Sequence, residues 1–158
     1  MKKLSFIMAI VFITACQSSR KEPHLPFFDL LLSDSTTRLN TAMIPEGKPT
    51  ILLYFSPDCE HCQHQIASIL QAMDSLKAIR FYFITTDSFS RMKIFCNSYQ
   101  LNKYPNITLG RDLTSFFPRY FNRPDPPYLV IFDQHKRQKG VFAGATSATQ
   151  ILEFVNNL

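Results

Sequence analysis

The sequence has no stretch of basic residues long enough to follow a nucleic-acid backbone. Its formal charge is only +5, from 17 Lys and Arg residues against 12 Asp and Glu residues in a chain of 158. The cations are scattered except at 136–139, where the composition is that of a solvated turn between strands. This distribution excludes a nucleic-acid-binding stripe, and we expect no nucleic acid among the partners.

An apolar run long enough to cross a bilayer is also missing from the sequence. The run at residues 4–15 follows two lysines, and it is shorter than the ~20 residues that a transmembrane helix needs. A basic start followed by a short apolar run is typical of a secretory signal. We therefore expect the protein to be exported.

The apolar run ends in Ile13-Thr14-Ala15-Cys16, which resembles a bacterial lipobox. The resemblance implies that residues 1–15 are a lipoprotein signal peptide and that Cys16 becomes an acylated N-terminus. Residues 16–26 would then be a lipidated polar tether, and 27–158 a single folded domain. We expect such a protein to be anchored by lipid in the bacterial cell envelope, facing the periplasm, and the residue after the cysteine favours the outer membrane. An ordinary signal peptide with an incidental cysteine, or a short anchor, is the alternative.

Cysteine is scarce, with four residues in the chain. Cys16 falls in the lipobox, and Cys59 and Cys62 form a C-x-x-C pair. Cys96 lies at helical spacing from Met92, which predicts a buried, inert thiol; a third redox cysteine or a contact with a partner's thiol is the alternative. A second cysteine pair, which a four-thiolate metal site would require, is missing.

The C-x-x-C pair follows an apolar run at 50–55 and precedes apolar residues at helical spacing from Ile66 onward. This order predicts a buried strand that turns into a helix whose first turn carries both cysteines. The unpaired N–H groups and the dipole at a helix N-terminus favour negative charge, so a thiol there loses its proton readily. Because the thiolate is the species that exchanges with disulfides, the pattern predicts a thiol–disulfide redox site.

Strands and helices alternate along the rest of the sequence. The predicted strands lie at 26–32 with 38–39, 50–55, 80–85, 106–109, 128–132 and 139–144, and the predicted helices at 59–77, 90–99, 113–121 and 147–157. Such alternation predicts an α/β fold with a parallel sheet between helices, to which the last hairpin adds an antiparallel edge.

Over nearly all of 26–158 the chain resembles the exported TlpA/ResA-like branch of the thioredoxin superfamily. The matching motifs are Gly47-Lys48-Pro49 leading into the strand at 50–55, Cys59-Glu60-His61-Cys62, Pro127 leading into the strand at 128–132 with Asp133, and Lys139-Gly140 with Gly144 in the final hairpin. The resemblance implies a thioredoxin fold, in which a central mixed sheet is flanked by helices and carries an N-terminal strand or hairpin and a βα insertion.

The resemblance also assigns a role to two consecutive prolines. Pro127 would be a cis-proline that faces the cysteines and keeps its loop close to the sulfurs. Pro126, directly before it, has no N–H, although in the family this position pairs with bound peptide like an added strand. We expect the missing donor to weaken or reshape substrate binding.

Two positions depart from the family pattern. Leu53 stands where thioredoxins carry a buried Asp, and Gln65 stands where the ResA-like branch carries a Glu. In the family both carboxylates help to move the proton of the buried second thiol. That role is vacant here or falls to Glu60, His61, His64 or water.

The spacing of the pair predicts how the two thiols divide the work. Cys59 would be the exposed nucleophile that forms a mixed disulfide with the substrate, and Cys62 would resolve it. Between them, a protonated His61 would stabilise the Cys59 thiolate and favour oxidising behaviour, whereas Glu60 would oppose it by charge repulsion.

The resemblance favours a cofactor-free reductase of protein disulfides. It implies exported proteins with disulfides as substrates, apocytochrome c among them, and a membrane thiol reductase of the DsbD/CcdA type as electron donor. A disulfide oxidase or isomerase is the alternative with the same chemistry.

Three other functions share this fold. Peroxiredoxins require a proline at the position of Leu52, so we do not expect peroxidase activity. SCO-like copper chaperones use C-x-x-x-C and a distant histidine, whereas the spacing here is one residue shorter, and we expect no metal. A degenerate thioredoxin fold that only binds a partner would not need the intact cysteine pair.

Overall fold

A computed structural model of the protein describes residues 22–158. The expected signal peptide at 1–15, the expected lipidation site Cys16 and most of the expected tether lie outside the described residues. Within residues 22–158, no helix is both long enough and apolar enough to cross a bilayer.

Seven strands form one mixed sheet. The strands are β1 (Asp29–Leu32), β2 (Arg38–Asn40), β3 (Thr50–Tyr54), β4 (Arg80–Thr85), β5 (Ile107–Arg111), β6 (Tyr128–Phe132) and β7 (Gln138–Ala143), in the spatial order β2-β1-β5-β4-β3-β6-β7. The pairs β3–β4 and β4–β5 are parallel and the other four are antiparallel. The predicted mixed sheet and the N-terminal hairpin are therefore confirmed.

Helices cover both faces of this sheet. They are α1 (Glu60–Gln71), α2 (Met73–Leu76), α3 (Phe89–Ser98), α4 (Phe116–Tyr120) and α5 (Ala148–Asn156), with short 3-10 turns at Thr41–Met43 and Leu101–Lys103. Apolar residues of α1, α3 and α5 pack on one face of the central strands, around Phe81 and Phe83. The other face is covered by α4 and the segment before β1, through Phe117 and Phe28.

Three helix boundaries differ from the sequence prediction. The helix predicted at 59–77 is interrupted at Ala72, whose ψ of 14° is not helical. The next helix begins after Ser88 rather than at Ser90, because the Ser88 hydroxyl accepts the Arg91 N–H. The helix predicted from 113 begins only at Phe116, because the Asp112 carboxylate accepts the N–H groups of Thr114 and Phe117 and holds a turn there.

The start of the domain also differs from expectation. Leu25, expected in the tether, is only 1 % exposed and packs in the core. Its N–H donates to the Lys136 carbonyl at 2.9 Å, and the Pro23 carbonyl accepts the Gln138 N–H at 2.7 Å. Because an apolar side chain and two backbone hydrogen bonds hold this segment, the packed part of the chain begins before residue 27.

Candidate active site

The C-x-x-C pair lies where β3 ends and α1 begins. Cys59 is the N-cap of α1, and its Sγ atom accepts the Cys62 N–H at 3.3 Å. Cys59 is partly exposed, whereas Cys62 is fully buried, and both are free thiols. Of the two sulfurs, only that of Cys59 is therefore open to a substrate disulfide, and it lies at the positive end of the helix dipole.

The environment of Cys62 keeps its thiol protonated. Burial is the main cause that raises the pKa of Cys62 to about 12, and its hydrogen bond with Cys59 adds to the effect, while a hydrogen bond from the Ser56 backbone opposes it. At neutral pH the buried sulfur therefore carries its proton, and it must lose that proton before it can act as a nucleophile.

The two prolines lie opposite the cysteines. Antiparallel pairing of Tyr54 with Tyr128 places the loop before β6 beside the loop after β3. The Pro126–Pro127 peptide bond is cis, which is the geometry that the resemblance implied. The Cys59 thiol lies 3.6 Å from the Pro126 carbonyl oxygen, so this loop offers the site a backbone acceptor but no N–H from Pro126.

The expected tuning residues Glu60 and His61 are exposed in the first turn of α1. Among the described residues, neither side chain makes a hydrogen bond or an ion pair. His64 is also exposed. All three side chains therefore face solvent beside the pair and are not locked by packing.

Neither of the two positions that depart from the resembled pattern carries a carboxylate. Leu53 is fully buried in the core, and Gln65 is 2 % exposed. Gln65 lies one helical turn after Cys62 on the same face of α1, and its Oε1 atom accepts the Thr146 N–H. Its Nε2 atom is buried without a partner among the described residues. A neutral amide thus stands one helical turn from the buried thiol, and it cannot act as a base.

An ion-pair network that the sequence did not predict lies beside the cysteine pair. Arg91 of α3 contacts Asp58 and lies 3.1 Å from Asp87, which in turn accepts a hydrogen bond from the Ser56 hydroxyl at 2.9 Å. Next to it, a cleft of about 400 Å³ is lined by Pro57 and Asp58 and by Phe95 and Tyr99 of the α3 region. The i, i+4 spacing of Asp87 and Arg91 is the one signal in the sequence that could have indicated this network.

The structure does not assemble a metal site around the cysteines. Within residues 22–158, no group of three His, Cys, Asp or Glu side chains is close enough to hold a metal ion. His135 lies at the other end of the sheet, 3.8 Å from Glu46. The pair thus lacks a third ligand from the described part of the chain.

Among known proteins, the chain matches solved structures but not sequence families. No family model and no curated protein matches the chain. A secreted disulfide oxidoreductase of Mycobacterium tuberculosis, homologous to E. coli DsbE, is 22% identical with a TM-score of 0.69, covering 83% of this chain and 96% of that one. A thioredoxin-family thiol:disulfide interchange protein of Chlorobium tepidum is 18% identical with a TM-score of 0.70, covering 86% and 95%.

StoA of Bacillus subtilis is a third similar structure, 14% identical with a TM-score of 0.64, covering 84% of this chain and 98% of that one. These likenesses, together with the mixed sheet flanked by helices, show that the chain has the thioredoxin fold. Its C-x-x-C pair lies at the start of the helix that follows β3, an interior strand of the sheet.

Proposed function

We propose that the protein is a thiol–disulfide oxidoreductase of the TlpA/ResA-like kind that reduces disulfides in exported proteins. The observation that carries the proposal is the division of the pair into an accessible Cys59 sulfur, which accepts an N–H at the start of α1, and a fully buried Cys62. Disulfide exchange needs one sulfur that a substrate can reach and a second one that resolves the mixed disulfide.

In the reductive direction the Cys59 thiolate attacks one sulfur of the substrate disulfide. The substrate S–S bond breaks, the other substrate sulfur leaves and takes a proton, and a mixed disulfide remains on Cys59. Cys62 then loses its proton and attacks the Cys59 sulfur, which releases the second substrate thiol and leaves a Cys59–Cys62 disulfide. Two electrons have passed to the substrate, and a thiol donor, for which a membrane reductase of the DsbD/CcdA type is the expected candidate, restores the dithiol.

The state of Cys62 supports the reductive direction. A protein becomes a strong disulfide oxidant when its reduced form is stabilised. The raised pKa of Cys62 means that burial gives no such stabilisation to a thiolate on this sulfur. The buried sulfur therefore adds nothing to an oxidising tendency of the pair, which agrees with the proposed reductive direction.

The reduction potential of the full chain, equilibrated against glutathione, tests this direction. A value near that of thioredoxin, about −270 mV, agrees with a reductase, whereas a value near that of DsbA, about −120 mV, indicates an oxidase or isomerase. The second outcome would mean that the exposed His61 beside Cys59 dominates over Glu60. A pair that does not exchange with glutathione at all would contradict both.

We also propose that the domain acts in the bacterial envelope while anchored by lipid at Cys16, with exported proteins, apocytochrome c among them, as substrates. The lipobox-like Ile13-Thr14-Ala15-Cys16 supports the anchor. Mass spectrometry of the protein made in a bacterial host tests it. We expect an acylated Cys16 at the N-terminus, and we expect the Cys16→Ser variant to keep residues 1–15 and to carry no lipid.

A further inference from the structure

A cleft lies at the end of the sheet opposite the cysteines. β3, β4 and β5 begin at this end, β6 finishes there, and we call it the amino end of the sheet. The cleft has a volume of about 320 Å³, and its lining includes Lys48, Lys77, Arg80, Tyr82, Asn106 and Thr108. We call it the cationic cleft, because none of the carboxylates in the described chain lines it.

The positive charge of this cleft is not neutralised by neighbours. Elsewhere in the described chain, Arg91, Arg137 and Lys139 each pair with a carboxylate. Among the described residues, the ammonium groups of Lys48 and Lys77 make neither a hydrogen bond nor an ion pair. A cleft lined by charges of one sign concentrates ions of the opposite sign, so this cleft should attract an anion.

The third cation of the cleft is fixed in position. The Arg80 guanidinium donates to the carbonyl oxygens of Pro45 at 2.5 Å and Glu46 at 3.4 Å. A guanidinium has five N–H donors, so three remain for a ligand. Tyr82 adds a hydroxyl that has no hydrogen-bond partner among the described residues, and Arg80 is near enough to oppose the rise that burial causes in the pKa of Tyr82.

Asn106, which lines the cationic cleft, is held in place by hydrogen bonds, and the surface around the cleft is also positive. The Asn106 side chain donates to the carbonyls of Ile79 at 2.9 Å and Leu76 at 3.3 Å, which ties β5 to the turn before β4. The depression next to the cleft shares Lys77 and contains Lys103 with the single carboxylate Asp74. The neighbouring surface is thus positive as well.

We propose that the cationic cleft binds a phosphate group. Two lysines and an arginine line this one cleft, and a phosphate, with charge on several oxygens, matches three cations better than a single carboxylate does. The volume leaves room for a substituent on the phosphate. The proposal depends neither on the dithiol nor on the lipid anchor.

Two sources could supply such a phosphate: a soluble phosphate compound or the headgroup of an anionic lipid. The path of the chain makes the second source relevant. The Gly47 N–H donates to the Gln134 carbonyl, and Leu25 donates to Lys136, so the segment that enters the domain lies beside the loop that carries Lys48. The 21 residues that precede Glu22 therefore join the domain at the end that carries the cleft.

Backbone amide shifts of the full chain in neutral detergent micelles can test the proposal. The probes are inorganic phosphate, with sodium chloride at equal ionic strength as reference, and micelles doped with phosphatidylglycerol. We expect saturable shifts at Tyr82, Asn106 and Thr108. Shifts with inorganic phosphate would indicate that soluble phosphate compounds suffice, and shifts with phosphatidylglycerol alone would indicate a lipid headgroup.

Two double variants that remove the same amount of charge make the test specific, one in the cleft and one away from it. In the cleft, Lys48→Gln and Lys77→Gln should each raise the half-saturating ligand concentration about fivefold, and the two together should abolish the shifts. The control, Arg38→Gln with Lys93→Gln, removes two exposed cations away from the cleft and should leave the shifts unchanged. The amide spectrum before titration shows whether each variant is folded.

Three outcomes would overturn the proposal. They are the absence of shifts with both probes, equal shifts with sodium chloride, and shifts that persist in the folded Lys48→Gln, Lys77→Gln double variant. Equal shifts with sodium chloride would mean that the response reflects general ionic strength, and shifts that persist in the double variant would mean that the probe acts without the lysines of the cleft.

Discussion

The Sγ atom of Cys59 lies 3.6 Å from the carbonyl oxygen of Pro126. A peptide that places its disulfide on Cys59 therefore passes along a backbone that offers this carbonyl as an acceptor. In strand-like pairing the same residue would also donate its N–H, but a proline has none. In that pairing a peptide substrate would make one of the two backbone hydrogen bonds at this position and would leave the other unmade.

Restoring that donor should improve binding. In Pro126→Ala the new N–H can pair with a substrate carbonyl, and a hydrogen bond contributes a net ~1 kcal/mol. We expect the KM for a peptide disulfide to fall about fivefold, with a smaller change in kcat. Pro124→Ala is the matched control, since it adds an N–H two residues earlier in the same loop. Equal effects of both substitutions would show that the loop became more flexible and that no specific hydrogen bond formed.

The unequal burial of the two sulfurs predicts which single substitution traps a substrate. With Cys62→Ser, the Cys59 mixed disulfide cannot be resolved and should accumulate. With Cys59→Ser, the remaining thiol is buried and protonated, so no mixed disulfide should form. The measurement is a non-reducing gel of envelope extracts from cells that express each variant. Cys96→Ser serves as a control that should behave like the wild type. Trapping by Cys59→Ser instead would reverse the assignment of the two thiols.

Gln65 is a neutral, buried residue one helical turn from Cys62, so a base can be introduced there. Glutamate at this position keeps an oxygen for the Thr146 N–H and replaces the unpartnered Nε2 atom with a second oxygen. If that carboxylate takes the Cys62 proton, resolution of the mixed disulfide in Gln65→Glu should accelerate by up to about 100-fold, the lower end of what a positioned base supplies.

Stopped-flow resolution of a preformed mixed disulfide on Cys59 tests this prediction across pH. The gain should disappear at low pH, where the carboxyl group is protonated. Gln65→Leu is the control, because it removes the hydrogen bond to Thr146 without adding a base. A similar acceleration in Gln65→Leu would show that loosening of the loop at Thr146, and not proton transfer, limits the rate.

The sequence predicted the parts of the fold that depend on local pattern. The bounds of β4 and β6 match the prediction, because the interior of each strand is an apolar run buried on both faces. The break between α1 and α2 could not be predicted, since Met73 and Leu76 continue the helical spacing and are both buried.

In the candidate site, too, the sequence predicts the local features but not the long-range contacts. The cysteine pair and its place at a helix start follow from spacing within a few residues. The contacts of Asp58 with Arg91, Pro126 with Cys59 and Thr146 with Gln65 join positions that are 33, 67 and 81 residues apart. Such contacts depend on how strands are ordered in the sheet, and that order cannot be worked out from local pattern.

The raised pKa of Cys62 has a consequence for stability that can be measured without a substrate. In the folded, reduced protein the pKa is about 12, whereas an unfolded cysteine titrates near 8.5. A thiol whose folded pKa lies above its unfolded pKa stabilises the fold fully below the unfolded value. That contribution is lost as the pH rises toward the folded value, by about 1.4 kcal/mol per pH unit.

Urea unfolding of the reduced protein between about pH 9 and 11 should therefore show the free energy of unfolding falling more steeply for the wild type than for Cys62→Ser, because serine does not titrate in this range. Cys96, whose pKa is also raised by burial, contributes equally to both proteins and cancels in the difference. The oxidised wild type is a second control, since a disulfide has no proton to lose. If the reduced wild type and Cys62→Ser share one pH dependence, the buried sulfur does not hold its proton as the structure requires. A base at position 65 would then not be expected to accelerate resolution.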